Sequence, residues 1–356
     1  MDATVQLLKN LTEAHGVPGY ESPVREVVRK YFEPLGDVSK DGIGSLICCK
    51  TGSAATPRVM LAGHMDEIGF MVKQITKEGF IKFIPLGGWF DQVLLAQRVI
   101  IKTGKGDVVG VIGVKPPHML SAADKAKVVE KKDMYIDIGA TNLEEIEKAG
   151  VRVGDPIIPR ADFAELATGK TYLSKAFDDR VGVALVISSL AAMNKTNHAN
   201  MLYGVASVME EVGLRGASTS VEAVNPDVAI ILEADIAGDV PGVSPEESSV
   251  KLGKGPTILL YDARMIPNLK LRDLVMETAR ESGIPLQTST LEGGATDGGI
   301  IHLHKTGVPT IVLAVPARHI HSHSSILHRD DYDNAVKLLT ALIPRLDAAT
   351  VASLTE

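Results

Sequence analysis

The sequence predicts an α/β protein: a doubly wound, mostly parallel sheet interrupted by an inserted β-rich, barrel-like domain. In the first and last parts of the chain, apolar runs typical of buried parallel strands alternate with helical patterns. Residues 68–167 instead contain short strand-like runs that Gly and Pro separate, with little helical pattern. After Gly169 the alternation of strand and helix returns. We therefore expect a discontinuous domain of residues 1–67 and 168–356 around an insertion of residues 68–167.

The part before the insertion contains two amphipathic helices and two strands. The patterns predict the first helix at residues 4–14, the second with an apolar stripe from Val24 to Leu35, and strands at 46–49 and 59–63. Ser22 is expected to cap the second helix, with Pro23 in its first turn. The second strand leads directly into the polar run HMDE at residues 64–67.

The remaining elements are predicted from the same helical and strand-like patterns of apolar residues. The insertion is expected to contain strands at residues 68–75, 80–84, 99–103 and 108–114 and a helix at 142–149. Beyond it we expect strands at residues 201–207, 228–232, 257–261 and 310–315 and helices at 177–192, 214–224, 269–281 and 331–342. A glycine-rich loop at residues 293–299 lacks the Lys-Ser/Thr pair of a phosphate-binding loop.

Composition narrows the classes of function. The chain has 356 residues and a net charge of -7, which disfavours nucleic acid and anionic membrane as partners because both select clustered Lys and Arg. Cys48 and Cys49 are adjacent, so in a strand they point to opposite faces and fit a reducing compartment. No apolar run reaches membrane-spanning length and no basic-then-apolar leader is visible, so we expect a cytoplasmic protein.

Polar side chains follow four of the predicted strands. These side chains belong to His64, Glu210, Glu211, Glu233 and His321. Because functional groups in open α/β sheets collect beyond the carboxyl ends of the strands, we expect them to meet at one edge. Imidazole and carboxylate without cysteine are the donors expected of catalytic Zn, Co or Mn sites. Each residue alone has an ordinary interpretation as a solvated strand end, whereas the set together favours a metal site.

Two further groups stand beside this set. Asp178 and Asp179 begin the predicted helix at 177–192, where a carboxylate is electrostatically favoured but would equally serve as a cap. His319, His321 and His323 alternate after the strand at 310–315, and in a strand they would share one face. Serine nucleophile elbows, Walker-type phosphate loops and dinucleotide fingerprints do not occur in the sequence.

Six short motifs occur in a characteristic order along nearly the whole chain. They are HMDE at 64–67, AFDDR at 176–180, EEVG at 210–213, DVPG at 239–242, GATD at 294–297 and ARHIHS at 317–322. In combination they resemble the glutamyl aminopeptidase and tetrahedral aminopeptidase family of dinuclear metallopeptidases, some of which are labelled FrvX-like or endoglucanase. The resemblance implies a zinc-peptidase-like sheet and short peptides as substrates. It also implies that the insertion is a dimerisation domain, with dimers assembling into tetrahedral dodecamers.

The resemblance also implies roles for individual residues. Two divalent ions, most simply Zn with Co or Mn as alternatives, would be held by His321 and Glu211 and by His64 and Glu233. Asp178 would bridge the ions. Glu210 would act as general base and acid, and Asp66 would steady His64 from outside the ligand set.

Two positions depart from the family pattern. Glu233 stands where Asp is usual, so Asp235 remains an alternative ligand, and His319 stands where Tyr is common. Arg318 is a candidate for recognising an acidic N-terminal residue. Three other functions stay open at this point: a co-catalytic deacylase or carboxypeptidase acting on N-acylated amino acids, a cellulase that uses a metal-free carboxylate pair, and a non-enzymatic peptide-binding assembly.

Overall fold

The computed structural model describes residues 2–356. Its strands, in chain order, are β1 Asp37–Lys40, β2 Leu46–Thr51, β3 Arg58–His64, β4 Gly69–Ile75, β5 Ile81–Leu86, β6 Arg98–Thr103, β7 Gly106–Gly113, β8 Tyr135–Asp137, β9 Pro156–Pro159, β10 Ala164–Glu165, β11 Thr171–Ser174, β12 Met201–Ser207, β13 Val228–Ile236, β14 Thr257–Asp262, β15 Gln287–Leu291, β16 Thr310–Arg318 and β17 Ser325–His328. Its α-helices are α1 Ala3–Glu13, α2 Ser22–Phe32, α3 Ala122–Lys125, α4 Leu143–Ala149, α5 Phe177–Ala192, α6 Arg215–Val224, α7 Leu269–Glu281, α8 Gly298–Ile301, α9 Arg329–Leu342 and α10 Ala348–Ser353.

Eleven of the strands described within residues 2–356 form one large sheet. Its main path runs β1-β2-β12-β3-β13-β16-β17-β11-β10, and β14 joins β16 and carries β15. The central strands β12, β3, β13 and β16 are parallel. Strands β2, β17 and β14 pair antiparallel with them, and β15 pairs parallel with β14. The central strands are buried along almost their whole length because helices cover both faces, and their side chains are mostly apolar except toward the strand ends.

Two apolar clusters lie on opposite faces of this sheet. The larger one packs α1, α2, α5, α7 and α9 against the sheet, and the smaller one packs α6 and α8 against it. Helix α5 is buried on nearly all sides because it lies between the sheet and α1 and α9. The predicted fold class, an α/β sheet wound on both faces with an inserted barrel, is confirmed, with parallel pairing in the centre of the sheet and between β14 and β15.

The inserted barrel closes in the order β4-β5-β8-β7-β6-β9. Its core is a separate apolar cluster in which Phe70 packs on Phe83 and Trp89. The barrel strands lie between Gly69 and Pro159, while β10 already belongs to the large sheet. The division at residues 67/68 and 167/168 stays a prediction.

The start of α2 differs from the prediction. The helix begins at Ser22 with Pro23 in its first turn, but the Ser22 hydroxyl accepts from Arg25 and does not cap the helix. Glu21 occupies the cap position, and its carboxylate is engaged by the amides of Gly19 and Met209. Leu35 lies beyond the end of the helix at Phe32. None of the helices described between residues 2 and 356 has the length and apolar character that crossing a membrane requires.

Candidate active site

Four neighbouring strands carry the predicted polar residues to one edge of the large sheet. His64 is the last residue of β3 and lies opposite Ser207, the last residue of β12. Glu210 and Glu211 follow three and four residues after Ser207. Glu233 lies near the end of β13, and His321 follows the end of the adjacent β16. The parallel register of these strands therefore sets the position of the site.

One carboxylate lies between the two imidazoles. Asp178 Oδ1 is 3.2 Å from His64 Nε2, and Asp178 Oδ2 is 3.2 Å from His321 Nε2. The histidines are separated by more than two thirds of the chain, yet they face opposite oxygens of the same side chain. This geometry is what a carboxylate shared between two cations requires.

The remaining acids divide between the two histidines. Glu210 Oε2 and Glu233 Oε2 lie 3.8 and 3.9 Å from His64 Nε2, and Glu211 Oε1 lies 3.5 Å from His321 Nε2. Of the two candidates on β13, it is Glu233 that lies beside His64. Asp235 accepts the amide of Ile236 through Oδ1 at 2.8 Å.

The AFDDR segment orients its two aspartates differently. Asp178 and Asp179 have non-helical backbone angles within the first turn of α5. Asp179 accepts the amide three residues on, as an N-cap residue does, so the cap alternative holds for Asp179 and not for Asp178. Asp178 faces the histidines, whereas buried Asp179 accepts the amides of His64 at 3.0 Å and Gly182 at 2.9 Å. Asp179 thereby ties the end of β3 to α5.

Two buried carboxylates hold the segment that carries Glu210 and Glu211. Asp66 accepts the amide of Glu210 through Oδ1 at 3.0 Å and the amide of Glu211 through Oδ2 at 3.1 Å. Its backbone carbonyl lies 3.1 Å from His64 Nδ1, nearer than its carboxylate at 3.5 Å. Glu21 accepts the amide of Met209, which has a left-handed φ of 54°, at 3.2 Å.

A further charged cluster supports the site from behind. The Lys175 ammonium donates to both carboxylate oxygens of Glu67 at 2.6 Å. The Arg180 guanidinium is fully buried, donates to the carbonyls of Leu11, Ala14 and Gly16, and lies 3.5 Å from Glu67. These contacts fix the loop between α1 and α2 against the HMDE and AFDDR segments, and sequence reasoning did not assign them.

Burial dominates the electrostatics of the carboxylates. It raises the pKa of Glu210 and Glu233 well above their usual range and the pKa of Glu211 to about 8. Burial would also raise the pKa of Asp178, but the hydrogen bonds with His321 and His64 outweigh it and hold that pKa low.

The two histidines show the complementary effect. Burial would lower the pKa of His64, but the Glu210 charge and the Asp178 hydrogen bond outweigh it and raise that pKa above its usual range. Burial opposes the Asp178 hydrogen bond at His321 in the same way, and the pKa of His321 rises to about 10. Both imidazoles therefore stand in a strongly anionic environment.

The donor set fits divalent cations. Four carboxylates and two imidazoles converge where burial penalises uncompensated negative charge, so bound cations would stabilise the arrangement. Ligand atoms of His64, Glu210 and Glu233 lie within 4.8 Å of one another, and so do those of His64, Asp178 and Glu211. Imidazole nitrogens and carboxylate oxygens without sulfur are typical donors of a catalytic metal site.

The three alternating histidines do not form a strand face. Strand β16 ends at Arg318, and His319 and His321 have left-handed φ values of 62° and 55°. The expectation that the three side chains share one face of a strand is therefore wrong, because these backbone turns redirect each side chain. Only His321 reaches Asp178, while buried His323 packs beside Trp89 of the barrel at 5.2 Å between ring centroids.

A cleft of about 910 Å³ opens onto the site. It reaches Asp178, Glu210, Glu211 and Glu233, and much of its wall is apolar, with contributions from Leu214, Ile236, Val243, Leu259, Leu291 and Ile320. Arg318, the sequence-based candidate for acidic specificity, is instead paired with Asp239, with Nε 2.8 Å from Oδ1. Its charge is thus already neutralised by a partner within the fold.

Comparisons with known proteins agree with this fold. A family profile described as M42 glutamyl aminopeptidase matches residues 44–338, and one described as AMPT matches residues 2–28. The TET aminopeptidase of the marine sediment archaeon Thaumarchaeota archaeon SCGC AB-539-E09 superposes with a TM-score of 0.97 at 47% identity, covering 99% of this chain and 98% of that one. FrvX of Escherichia coli (strain K12) is 41% identical over 354 residues, 99% of this chain and 98% of FrvX.

A further solved structure records an assembly. It is the TET1 peptidase of Pyrococcus horikoshii, described as assembling into a tetrahedron or a large octahedral shell. It has a TM-score of 0.87 at 32% identity and covers 97% of this chain and 100% of that one.

The sheet, the inserted barrel and the imidazole–carboxylate site define a peptide hydrolase. The chain belongs to the M42 glutamyl aminopeptidase family. That membership speaks against the cellulase and the non-enzymatic assembly left open by the sequence.

Proposed function

We propose that this protein is an aminopeptidase that removes N-terminal residues from short peptides with two divalent metal ions. The observation that carries the proposal is the Asp178 carboxylate, whose two oxygens each lie 3.2 Å from a different imidazole. In this assignment His321 and Glu211 hold one ion, His64 and Glu233 the other, and Asp178 is shared. Zinc is our first choice of metal, with Co or Mn as alternatives.

The bound ions would supply Lewis acidity, which polarises the scissile carbonyl and eases deprotonation of the attacking water. Glu210 takes that proton on its carboxylate and later delivers it to the leaving amine. Its position fits the role because Asp66 holds its backbone amide, its carboxylate lies 3.8 Å from His64 Nε2, and it lines the cleft. Asp66 also accepts the Glu211 amide, so it positions the base and a ligand together.

A free peptide N-terminus suits this end of the cleft because its α-amine can bind one of the ions or pair with a carboxylate of the site, and an acetylated N-terminus can do neither. We expect a free peptide to be cleaved with kcat/KM at least about 30-fold above its N-acetylated form, since one buried charge pair contributes 2 kcal/mol or more. Parallel assays of one peptide in both forms measure this ratio. Faster turnover of the acetylated form would identify a deacylase instead.

Metal removal is expected to abolish hydrolysis. Exhaustive chelation followed by removal of the chelator leaves the carboxylates without their cations, and addition of Zn or Co should restore turnover. Metal content measured on the same samples shows whether activity follows occupancy, with a sample carried through the same exchange without chelator as the control. Full turnover in a sample shown to be free of metal would exclude the metal-dependent mechanism.

We also propose a cytoplasmic homo-oligomer, built from dimers into a dodecamer, in which residues 68–167 are the dimerisation domain and residues 1–67 and 168–356 the catalytic domain. The similarity to the TET1 peptidase supports the assembly. Strand β7 of the barrel exposes Val109 and Val111, so the outer face of that strand offers an apolar surface for contact with another copy of the chain.

A further inference from the structure

The inserted barrel reaches the candidate active site through one turn. This turn, Gly87-Gly88, follows β5 and precedes Trp89. The Gly88 carbonyl lies 2.6 Å from Nδ1 of His321, and Gly88 lines the cleft together with Asp178 and Glu211. It is therefore a backbone group of the barrel, not of the sheet, that contacts the imidazole.

The Gly88 carbonyl determines which nitrogen of His321 carries the proton. A carbonyl oxygen can only accept, so Nδ1 must donate to it. In the neutral ring the lone pair then stands on Nε2, the nitrogen that faces Asp178 Oδ2 at 3.2 Å and Glu211 Oε1 at 3.5 Å. A second hydrogen bond of this kind orients a ligand imidazole and raises its basicity.

Gly87 requires glycine, and Gly88 leaves little room for a side chain. Gly87 has a left-handed φ of 91°, and a Cβ atom there would lie 2.5 Å from Ile68 Cγ2 and 3.1 Å from Glu211 Oε2. A Cβ atom on Gly88 would lie 3.2 Å from His321 Nδ1. The two close approaches concern His321 and Glu211, which are assigned to the same metal ion.

Trp89 anchors the turn in the barrel. Its indole stacks on Phe70 with ring centroids 4.9 Å apart, and its Nε1 donates to the Gly69 carbonyl at 3.1 Å. It also packs beside His323, two residues beyond the ligand histidine. The barrel core therefore holds the turn, and the turn holds one half of the site, whereas His64 is held by Asp66 and Asp179 of the sheet domain.

We infer that the Gly87-Gly88 turn is a positioning element through which the barrel selects the tautomer of His321 and sets the space around Glu211, so that it controls the affinity of one metal position only. The inference rests on the proposed dinuclear function. It assigns the insertion a role in the active site of its own chain, separate from any contact with another copy.

Stepwise removal of zinc from the loaded protein by a chromophoric chelator tests the inference. Wild type is expected to release two zinc ions per chain. Gly88→Ala should release one of them about 10- to 100-fold more readily and the other as in wild type, because a Cβ atom 3.2 Å from His321 Nδ1 displaces the imidazole from the Gly88 carbonyl, and loss of an outer hydrogen bond costs that much metal affinity. Gly104→Ala is the matched control, since Gly104 lies in the β6–β7 hairpin with the Arg152 guanidinium, at 3.5 Å, as its nearest neighbour.

Gly87→Ala keeps the test decisive if Gly88→Ala does not fold. Its control for backbone strain is Gly139→Ala, because Gly139 has a φ of 82° with open space around a Cβ, so it shares that strain without the contacts to Ile68 and Glu211. Trp89→Phe removes the hydrogen bond to the Gly69 carbonyl and should lower the affinity for the same ion to a smaller degree.

The outcomes separate cleanly. If a turn variant released both zinc ions as wild type does, or if its affinity for both ions fell equally, the inference would be overturned. A wild-type chain that binds no zinc, cobalt or manganese would refute the proposed function instead.

Discussion

Replacing Glu210 by Gln is expected to lower kcat by ~10²–10⁴-fold while both metal ions remain bound. The amide keeps the size of the side chain but cannot take the proton of the attacking water. The backbone hydrogen bond from Glu210 to Asp66 is unaffected, so the segment should keep its position. Steady-state kinetics combined with metal analysis on the same preparation measures both quantities.

The matched control for this substitution is Glu222→Gln on α6. Glu222 is an exposed carboxylate, 71% accessible, that lies 3.7 Å from His304 Nδ1. It should leave kcat unchanged. If Glu210→Gln retained near wild-type turnover with a full complement of metal, the proton transfer would have to be assigned to another group.

Replacing Asp178 by Asn is expected to weaken both metal positions together. The neutral amide removes the negative charge that faces both imidazoles, and it offers one oxygen where two are needed. The loss of affinity should exceed the ~100-fold that loss of an outer hydrogen-bond partner costs. Equilibrium dialysis against zinc at several concentrations measures the two affinities.

Asp331→Asn separates this effect from a general loss of stability. Asp331 is fully buried and accepts the amides of Gly253 at 2.6 Å and Gly255 at 2.7 Å, away from both histidines. This variant should lose about 1–3 kcal/mol of unfolding free energy because one buried amide loses its acceptor. Its zinc affinity should remain that of wild type. If Asp178→Asn lowered the affinity for only one of the two zinc ions, Asp178 would not be a carboxylate shared between them.

The long elements could be predicted from the sequence because each is a long apolar run or an amphipathic pattern repeated over several turns. The helix expected at 177–192, the helix at 269–281 and the strand at 201–207 agree with the structure at both ends. Each buries a continuous apolar surface, so the apolar residues seen in the sequence are the ones that pack in the structure.

The short antiparallel strands were not predicted. Strands β1, β10, β11 and β17 contain two to four residues each. A segment of that length cannot show a period, and it becomes a strand because a neighbour offers it backbone hydrogen bonds. They extend the sheet at its edges and leave the position of the site unchanged.

The site could be predicted in outline because its side chains follow strands that end at one edge. What sequence reasoning missed are contacts made by the backbone. Asp66 accepts two main-chain amides, and His321 donates to the carbonyl of Gly88, 233 residues away in the chain. Main-chain amides and carbonyls do not depend on the side chain, so the residue types in the sequence do not indicate which of them make these contacts. The left-handed turns at His319 and His321 were missed for the same reason.

The central claim is that distant histidines and acids hold a pair of cations around Asp178. A crystal structure of the zinc-loaded protein with anomalous data collected at the zinc edge tests it most directly. We expect two anomalous peaks, one on each side of Asp178, the first beside His64 and Glu233 and the second beside His321 and Glu211. A fully loaded crystal with a single peak, or with peaks away from Asp178, would contradict the account.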